Sequence, residues 1–258
     1  MDFTIIIGFV VGLGMILLAQ AMEGGNILSL MQLTAGMIVV GGTIGAVIGS
    51  FSIPDLKNAV TAVMTIVIAG KKTDHKKVIE EILGFAMKAR KEGVIVLEKE
   101  AQKASDPLMK IGLEAVSDGA DPTLVRELME TQLEQMEEKV TTASKVWEAA
   151  GAYSPTFGII GAVMGLIQVM QHLSDPSKLG AGIAVAFVAT VYGLITANLI
   201  YIPMSTKIKF KTKEEFLSKQ IMVEGILSIQ AGESPALIER KLNAFLLDAP
   251  DIAAKPKA

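Results

Sequence analysis

The sequence predicts an all-α, polytopic membrane protein with four transmembrane helices and a helical cytoplasmic domain. Three observations carry this. Four stretches, 3–22, 24–53, 149–173 and 179–206, contain no Asp, Glu, Lys or Arg, although 20% of the 258 residues are charged. Each has at least 20 residues, and roughly 20 helical residues cross the ~30 Å hydrocarbon core of a bilayer. The charged residues are gathered between and after these stretches, where apolar residues recur at helical spacing and no strand-like alternation is found.

Taken in order, segment 1–54 holds the first two membrane helices. The first has only Asp2 before it and no small-residue cleavage site after it, so it reads as a retained helix and not as a signal peptide. Segment 55–148 opens with "NAVTAVMTIVIAG" at 58–70. As a helix this covers only about 20 Å, too short to cross, and it is expected to lie along the inner interface beside Lys57 and the Lys71–Lys72 pair. Val78, Ile79, Ile82, Leu83, Ala86 and Met87 then mark a helix face, with a break at Gly93. Asp121–Pro122 is a helix start, Asp as N-cap and Pro in the first turn. Met129, Leu133, Met136, Val140, Ala143 and Trp147 follow at 4-3-4-3-4 spacing, a coiled-coil-like seam.

Segment 149–206 holds the third and fourth membrane helices, with Pro155 expected to start the third. Segment 207–258 supplies one long helix, a stop at Gly232, a second helix from Ser234–Pro235, and a polar tail expected to lack order.

Basic residues orient the chain. Of 24 Lys and Arg, 14 lie from Lys57 to Lys145, nine from Lys207 to Lys257, and Lys178 stands alone. The excess near the membrane ends places both long segments and both termini in the cytoplasm.

Little enzymatic chemistry is available. There is no cysteine, and the two histidines, His75 and His172, are far apart, so neither a metal site nor a cofactor site is expected. No phosphate-binding loop or Ser/His/Asp set is present, and the chain is read as no enzyme, with no catalytic residues. Small residues carry more. Gly41, Gly45 and Gly49 repeat at fourfold spacing, as do Gly161 and Gly165, and Ala189, Gly193 and Ala197 share a helix face. Such faces let backbones approach closely in lipid, either inside one chain or between copies. Thr43, Thr156, Gln168, Thr190, Thr196 and Asn198 are the polar groups at depth, each expected to satisfy a helix–helix hydrogen bond. No ionisable group accompanies them, so an ion-moving role requires a carboxylate from another chain. Pro203 removes a backbone hydrogen bond near the end of the fourth helix, favouring a kink over a hinge. Arg90 and Glu98 straddle the Gly93 break and, by residue type alone, are solvated surface charges.

Several stretches resemble the MotA/PomA family of flagellar stator subunits: "GLGMILLAQAMEGG", "MIVVGGTIGAVI", "ARKEGVIVLEKE", "SPTFGIIGAVMGLI", "VAFVATVYGLITANLIYIPM" and "MVEGILSIQAGESPALIERKL". The resemblance covers nearly the whole chain and implies a homo-oligomeric ring in the bacterial inner membrane. It implies five copies around two helices of a MotB-like single-pass, peptidoglycan-binding partner whose membrane aspartate carries the ion. It places Pro155, Ala162, Thr190 and Pro203 along the ion path and gives Arg90 and Glu98 contact with the rotor protein FliG. Sodium-driven relatives have a threonine at the position of Ala162, which implies H+ and not Na+ here. Gln132 departs from an acidic family position, with Glu130 nearby. The implied function is coupling of proton flow to torque, with membrane lipid as a further partner and no nucleic acid. The alternatives are an ExbB/TolQ-like energiser, with three membrane helices, or a non-conducting membrane scaffold.

Overall fold

In the computed structural model, which describes residues 3–69, 74–174 and 176–246, the chain is helical throughout and no strand occurs among the described residues. The described residues group into two compact units, one from 1–71 and 139–211, the other from 72–138 and 212–258.

The first unit holds the apolar spans. Helix α1, Thr4–Met22, has no fully buried residue and presents Ile6, Ile7, Val10, Val11 and Met15 outward, as a lipid-facing helix can. A single 3₁₀ turn, Ile27–Leu30, is capped by Asn26, whose Oδ1 accepts from the Leu28 amide at 2.9 Å. The second span follows as α2, Leu33–Gly36, a π-helical turn, Met37–Gly41, and α3, Gly42–Ser50. Helix α4, Ile53–Ala62, begins at a Ser52 cap with Pro54 in its first turn and runs into a second π turn, Val63–Ile68. Ala59, Ala62, Val63 and Val67 pack against Ala143, Val146, Ala150 and Ile208, while Val60 and Met64 face outward. The Trp147 indole N–H donates to the Ala59 carbonyl at 3.0 Å, and Lys211 Nζ donates to the carbonyls of Ile66 and Val67 at 3.0 and 3.2 Å. The last of these contacts satisfy carbonyls that a helix end leaves unpaired.

The second unit is a compact helical core. Helix α5, His75–Glu92, buries Val78, Ile79, Ile82, Phe85 and Ala86; Leu83 is only partly buried and Met87 is 51% exposed. The expected face is therefore correct except at its end, where Phe85 takes the inward position instead of Met87. A 3₁₀ turn, Val94–Val96, leads into α6, Leu97–Ala101, and α7, Pro107–Ser117, follows. Asp74, Asp106 and Ser234 accept amide hydrogen bonds at helix starts, and Asp121 Oδ1 accepts from the Thr123 amide at 2.8 Å. Gly93, Gly119 and Gly232 have φ of +86°, +76° and +72°, so the two expected stops at Gly93 and Gly232 are real left-handed breaks.

Two boundaries differ from expectation. Helix α8, Pro122–Gln171, is one 50-residue helix in which Pro155 is internal. Its apolar seam does not stop before the third span, because no proline interrupts the residues between Trp147 and Ser154: Glu, Ala, Ala, Gly, Ala and Tyr. The seam itself holds: Met129 and Ala143 are buried and Leu133, Met136, Val140 and Trp147 half-buried, with exposed residues between them as far as Val140, after which Ser144 and Val146 are buried as well. Helix α9, Pro176–Thr196, passes through a third π turn, Ala197–Tyr201, into α10, Ile202–Gln230, so the fourth span and the long helix after it are continuous. Pro203 falls in the first turn of α10, directly after the π turn, where the altered register tolerates its missing N–H. Helix α11, Pro235–Asn243, completes the second unit. The expected polar tail and the Lys71–Lys72 pair lie outside the described residues.

Helices α8 and α9 meet backbone to backbone. A Cβ on Gly165 would lie 2.5 Å from the Gly182 carbonyl oxygen and 2.7 Å from the Ala186 nitrogen, and one on Gly193 would lie 2.8 Å from the Ser154 oxygen. The same addition at Gly84 of α5 meets nothing within 4 Å. Gly165→Ala is therefore expected to lower stability by about 1–3 kcal/mol, as overpacking does. Gly84→Ala is expected to raise it by up to ~1 kcal/mol through helix propensity. Thermal unfolding of the two variants in detergent checks the difference, and equal shifts would contradict the packing described.

Candidate functional site

The residues singled out in the sequence fall into two places, one in each unit. In the first unit, the α8–α9 seam is built from Gly158, Gly161 and Gly165 on one side and Gly182, Ala186, Ala189 and Gly193 on the other. A Cβ on Gly161 would lie 2.5 Å from Ala189 Cβ; on Gly158 it would lie 3.0 Å from the Ala189 oxygen and 3.3 Å from Thr190 Cα. These small residues are thus used inside the chain. In α3, by contrast, nothing comes within 4 Å of a Cβ placed on Gly41, Gly45 or Gly49, while Gly42 lies against the Phe157 ring.

This packing brings two of the four expected ion-path residues to one seam. A Cβ on Gly193 would lie 3.1 Å from Pro155 Cα, and Thr190 lies over Gly158. Thr190 is half-buried and donates to the Ala186 carbonyl at 3.1 Å. Ala162, beside Gly161, is half-buried. Pro203 stands apart from Thr190 by 13 residues of helix, about 20 Å. It belongs instead with the Pro155 break. Pro155 leaves the Gly151 carbonyl without its intrahelical donor, and a Cβ on Gly151 would meet the Ile202 side chain at 2.7 Å, one residue before Pro203. Both helices therefore lose a backbone hydrogen bond at one level of the seam.

Between those levels lies a contact that sequence reading missed. Ser154 Oγ and Thr196 Oγ1 hydrogen-bond across the seam at 2.6 Å, and Ser154 is fully buried. Tyr192 was missed as well: its hydroxyl donates to the Leu30 carbonyl at 2.6 Å and accepts from the Gln32 amide at 3.2 Å. Helix–helix bonding by the polar groups at depth holds for Thr196 only. Thr43, Thr190 and Asn198 donate to the carbonyl four residues earlier in their own helices, and Thr156 to that of Tyr153, because a helical threonine finds that acceptor without any neighbour. Hydroxyls and carbonyls can pass a proton or line its route, but neither holds it as a carboxylate does. The four charge-free stretches contain no carboxylate.

In the second unit, the Gly93 turn sets Arg90 in the last turn of α5 and Glu98 in the first turn of α6. A cation at a helix C-terminus and an anion at an N-terminus both suit the helix dipoles. Both side chains are exposed and form no ion pair or hydrogen bond with another described residue. Their neighbour Glu100 is buried and clamped, at 2.6 Å by Lys88 and 2.8 Å by Lys103. The hydrogen bond from Lys103, then that from Lys88, holds its carboxyl below the usual carboxylate range. Leu97 and Ala101 anchor the same turn in the core. Gln132 and Glu130 are exposed on α8, where Glu130 pairs with Arg126 at 3.2 Å. No cluster of His, Cys, Asp or Glu able to hold a metal occurs among the described residues.

Comparison with known proteins gives consistent matches along the chain. Residues 100–221 match the model of the MotA/TolQ/ExbB proton channel family, and residues 6–93 that of the motility protein A N-terminal region. Motility protein A of Aquifex aeolicus is 37% identical over 248 residues, covering 95% of this chain and 97% of that protein. Motility protein A of Bacillus subtilis is 32% identical over 246 residues, covering 95% and 91%. Among solved structures, C. jejuni MotAB superposes with a TM-score of 0.89 at 30% identity, over 96% of this chain and 97% of that one. The flagellar MotAB stator complex from Bacillus subtilis gives 0.86 at 31%, over 96% and 98%.

The clamped Glu100 makes the stability of the Gly93 corner pH-dependent. A carboxyl whose folded-state pKa is depressed adds stability above its unfolded value, about 4.3, and that stability is lost as pH falls through the lower folded value. Glu100→Gln is expected to melt earlier than the parent at pH 7, with the gap closing as pH falls below about 4. Melting curves against pH measure this; a gap that stays constant down to pH 3 would contradict the clamp.

Proposed function

Because the chain belongs to the MotA/TolQ/ExbB proton channel family, we propose that it is a stator subunit of a bacterial flagellar motor. It couples proton flow to torque on the rotor. The observation that carries this reading is likeness from end to end: the membrane spans and the cytoplasmic helices match stator chains together, with no large part left over.

The chain sits in the inner membrane with both termini in the cytoplasm, as the distribution of basic residues favours. Five copies form a ring around two helices of a MotB-like, single-pass, peptidoglycan-binding subunit. That partner brings the membrane aspartate which this chain lacks. Pro155, Ala162, Thr190 and Pro203 lie along the ion path, the threonine hydroxyl and the carbonyls freed by the prolines offering polar groups to water or a proton in an otherwise apolar wall. Protonation removes the partner's charge and lets the ring step past it. The ion is H+ and not Na+, since Ala162 offers no ligand oxygen. The chain needs no cofactor and performs no covalent chemistry. Arg90 and Glu98 meet FliG through complementary charge, which steers and registers a contact more than it strengthens it. Lipid surrounds the outward apolar faces, and nucleic acid is no partner.

Two outcomes follow. Arg90→Glu is expected to abolish motility while leaving the mass of the purified assembly unchanged, because Arg90 is exposed and pairs with no other described residue. Swimming assays with native mass measurement test it, and disassembly on this substitution would make Arg90 structural. Rotation speed of tethered cells is expected to follow the proton motive force and ignore external sodium; dependence on sodium at constant proton motive force would contradict proton coupling.

A further inference from the structure

The corner that carries Arg90 and Glu98 is not only charged. In the second unit most large apolar side chains are enclosed in the core around Ile82, Leu97, Met109 and Ile226. Ile95 is 74% exposed, more than any other large apolar side chain of that unit among the described residues. Beside it Val94 is 41% exposed, and Met87, one turn before Arg90, is 51% exposed. All four charge-free stretches lie in the other unit, so exposure to lipid tails does not account for them.

Local geometry holds Ile95 outward. Gly93, at φ +86°, ends α5, and the 3₁₀ turn Val94–Val96 follows at once. Ile95 in that turn and Glu98 at the start of α6 are both exposed, while Leu97 between them has no exposed surface and packs in the core. The Glu100 clamp to Lys88 and Lys103 braces the same turn. An apolar knob on a braced turn, flanked by an unpaired cation and an unpaired anion, has the arrangement of an interface hot spot: an apolar centre with a polar rim. Bracing lowers the ordering cost of binding.

We propose that Ile95, with Val94 and Met87, is the apolar centre of the surface that engages the rotor. Its occupant is a protein face with an apolar socket, bordered by a carboxylate opposite Arg90 and a cation opposite Glu98. Exposed charges of both signs ring the knob, Arg90, Lys91 and Lys99 with Glu92 and Glu98, which suits a protein face of mixed charge and not a uniformly anionic lipid surface. This rests on the rotor-contact reading above and adds to it an attraction that salt does not screen.

The test uses the full-length chain purified with its single-pass partner, and measures binding of purified rotor protein in 0.1 M and 1 M salt. Ile95→Ser is expected to weaken binding by about tenfold or more at both, the scale of one lost apolar side-chain burial, with assembly mass and melting temperature unchanged. Ile95→Leu is expected to retain binding. Leu237→Ser, which removes an equally apolar exposed side chain on α11, is expected to change nothing. At 1 M salt, where the screening length is about 3 Å, the parent is expected to keep residual binding that Ile95→Ser lacks. Unchanged binding by Ile95→Ser overturns the proposal, and so does loss of assembly mass, which would place the knob between copies of this chain. Arg90→Glu, run alongside, separates the two readings. If it weakens binding and Ile95→Ser does not, the apolar centre falls and the rotor contact stands. If neither variant weakens binding, both fall.

Discussion

Close packing of α8 on α9 through glycine and alanine is the constraint on which the membrane unit depends. Lipid tails are as apolar as leucine, so two helices in a bilayer gain nothing by hiding apolar surface from each other. They associate through van der Waals contact and hydrogen bonds across the seam. Gly158, Gly161 and Gly165 lie against Gly182, Ala186, Ala189 and Gly193 without intervening side chains, and that approach lets the short hydroxyls of Ser154 and Thr196 reach each other. It also fixes where the helices are weakened. Pro155 and Pro203 each delete a backbone hydrogen bond, and the Gly151–Ile202 contact sets the two deletions side by side. The π turn at Ala197–Tyr201 falls at the same level, and such turns are frequent at functional sites.

Much of this was legible in residue patterns. The charge-free stretches correspond to four helices long and apolar enough to cross a membrane, because a charged side chain in hydrocarbon is expensive and its absence over 20 residues is informative. The breaks at Gly93 and Gly232 and the starts at Asp121 and Ser234 were legible because caps and left-handed glycines act locally. The limits of the third and fourth helices were not. Hydropathy marks where a helix can enter lipid and says nothing of where it ends, so α8 continues through Pro155 and α10 through Lys207 to Gln230. Helix α7 went unread although Asp106–Pro107 repeats the Asp–Pro start seen at 121–122. Which small faces are used inside the chain could not be read at all: Gly165 and Gly45 look alike in sequence, yet one touches backbone and the other open space.

Charge divides the molecule by kind of work. Buried charges in the second unit are paired: Glu100 with Lys88 and Lys103, and Lys219, 5% exposed, with Asp106 at 2.6 Å. Pairing of this sort is needed because a lone buried charge is strongly destabilising. Arg90 and Glu98 are left exposed, without a partner among the described residues, on a corner those pairs brace. Nothing in that corner could be told from ordinary surface by residue type, and only the resemblance of "ARKEGVIVLEKE" to a family of stators drew attention to it. The exposure of Ile95 is a property of the folded turn. The charge-free spans of the first unit have the opposite character, with polar groups that are neutral and mostly bonded within their own helices.

The account stands or falls on the claim that this chain provides the wall of a proton path and another chain provides its carrier. Proton flux into sealed vesicles, compared for the chain alone and for the chain with its single-pass partner, tests that claim most directly. Flux is expected only with the partner present, and is expected to vanish when the partner's membrane carboxylate is replaced by its amide. Proton flux through vesicles holding this chain alone would contradict the account.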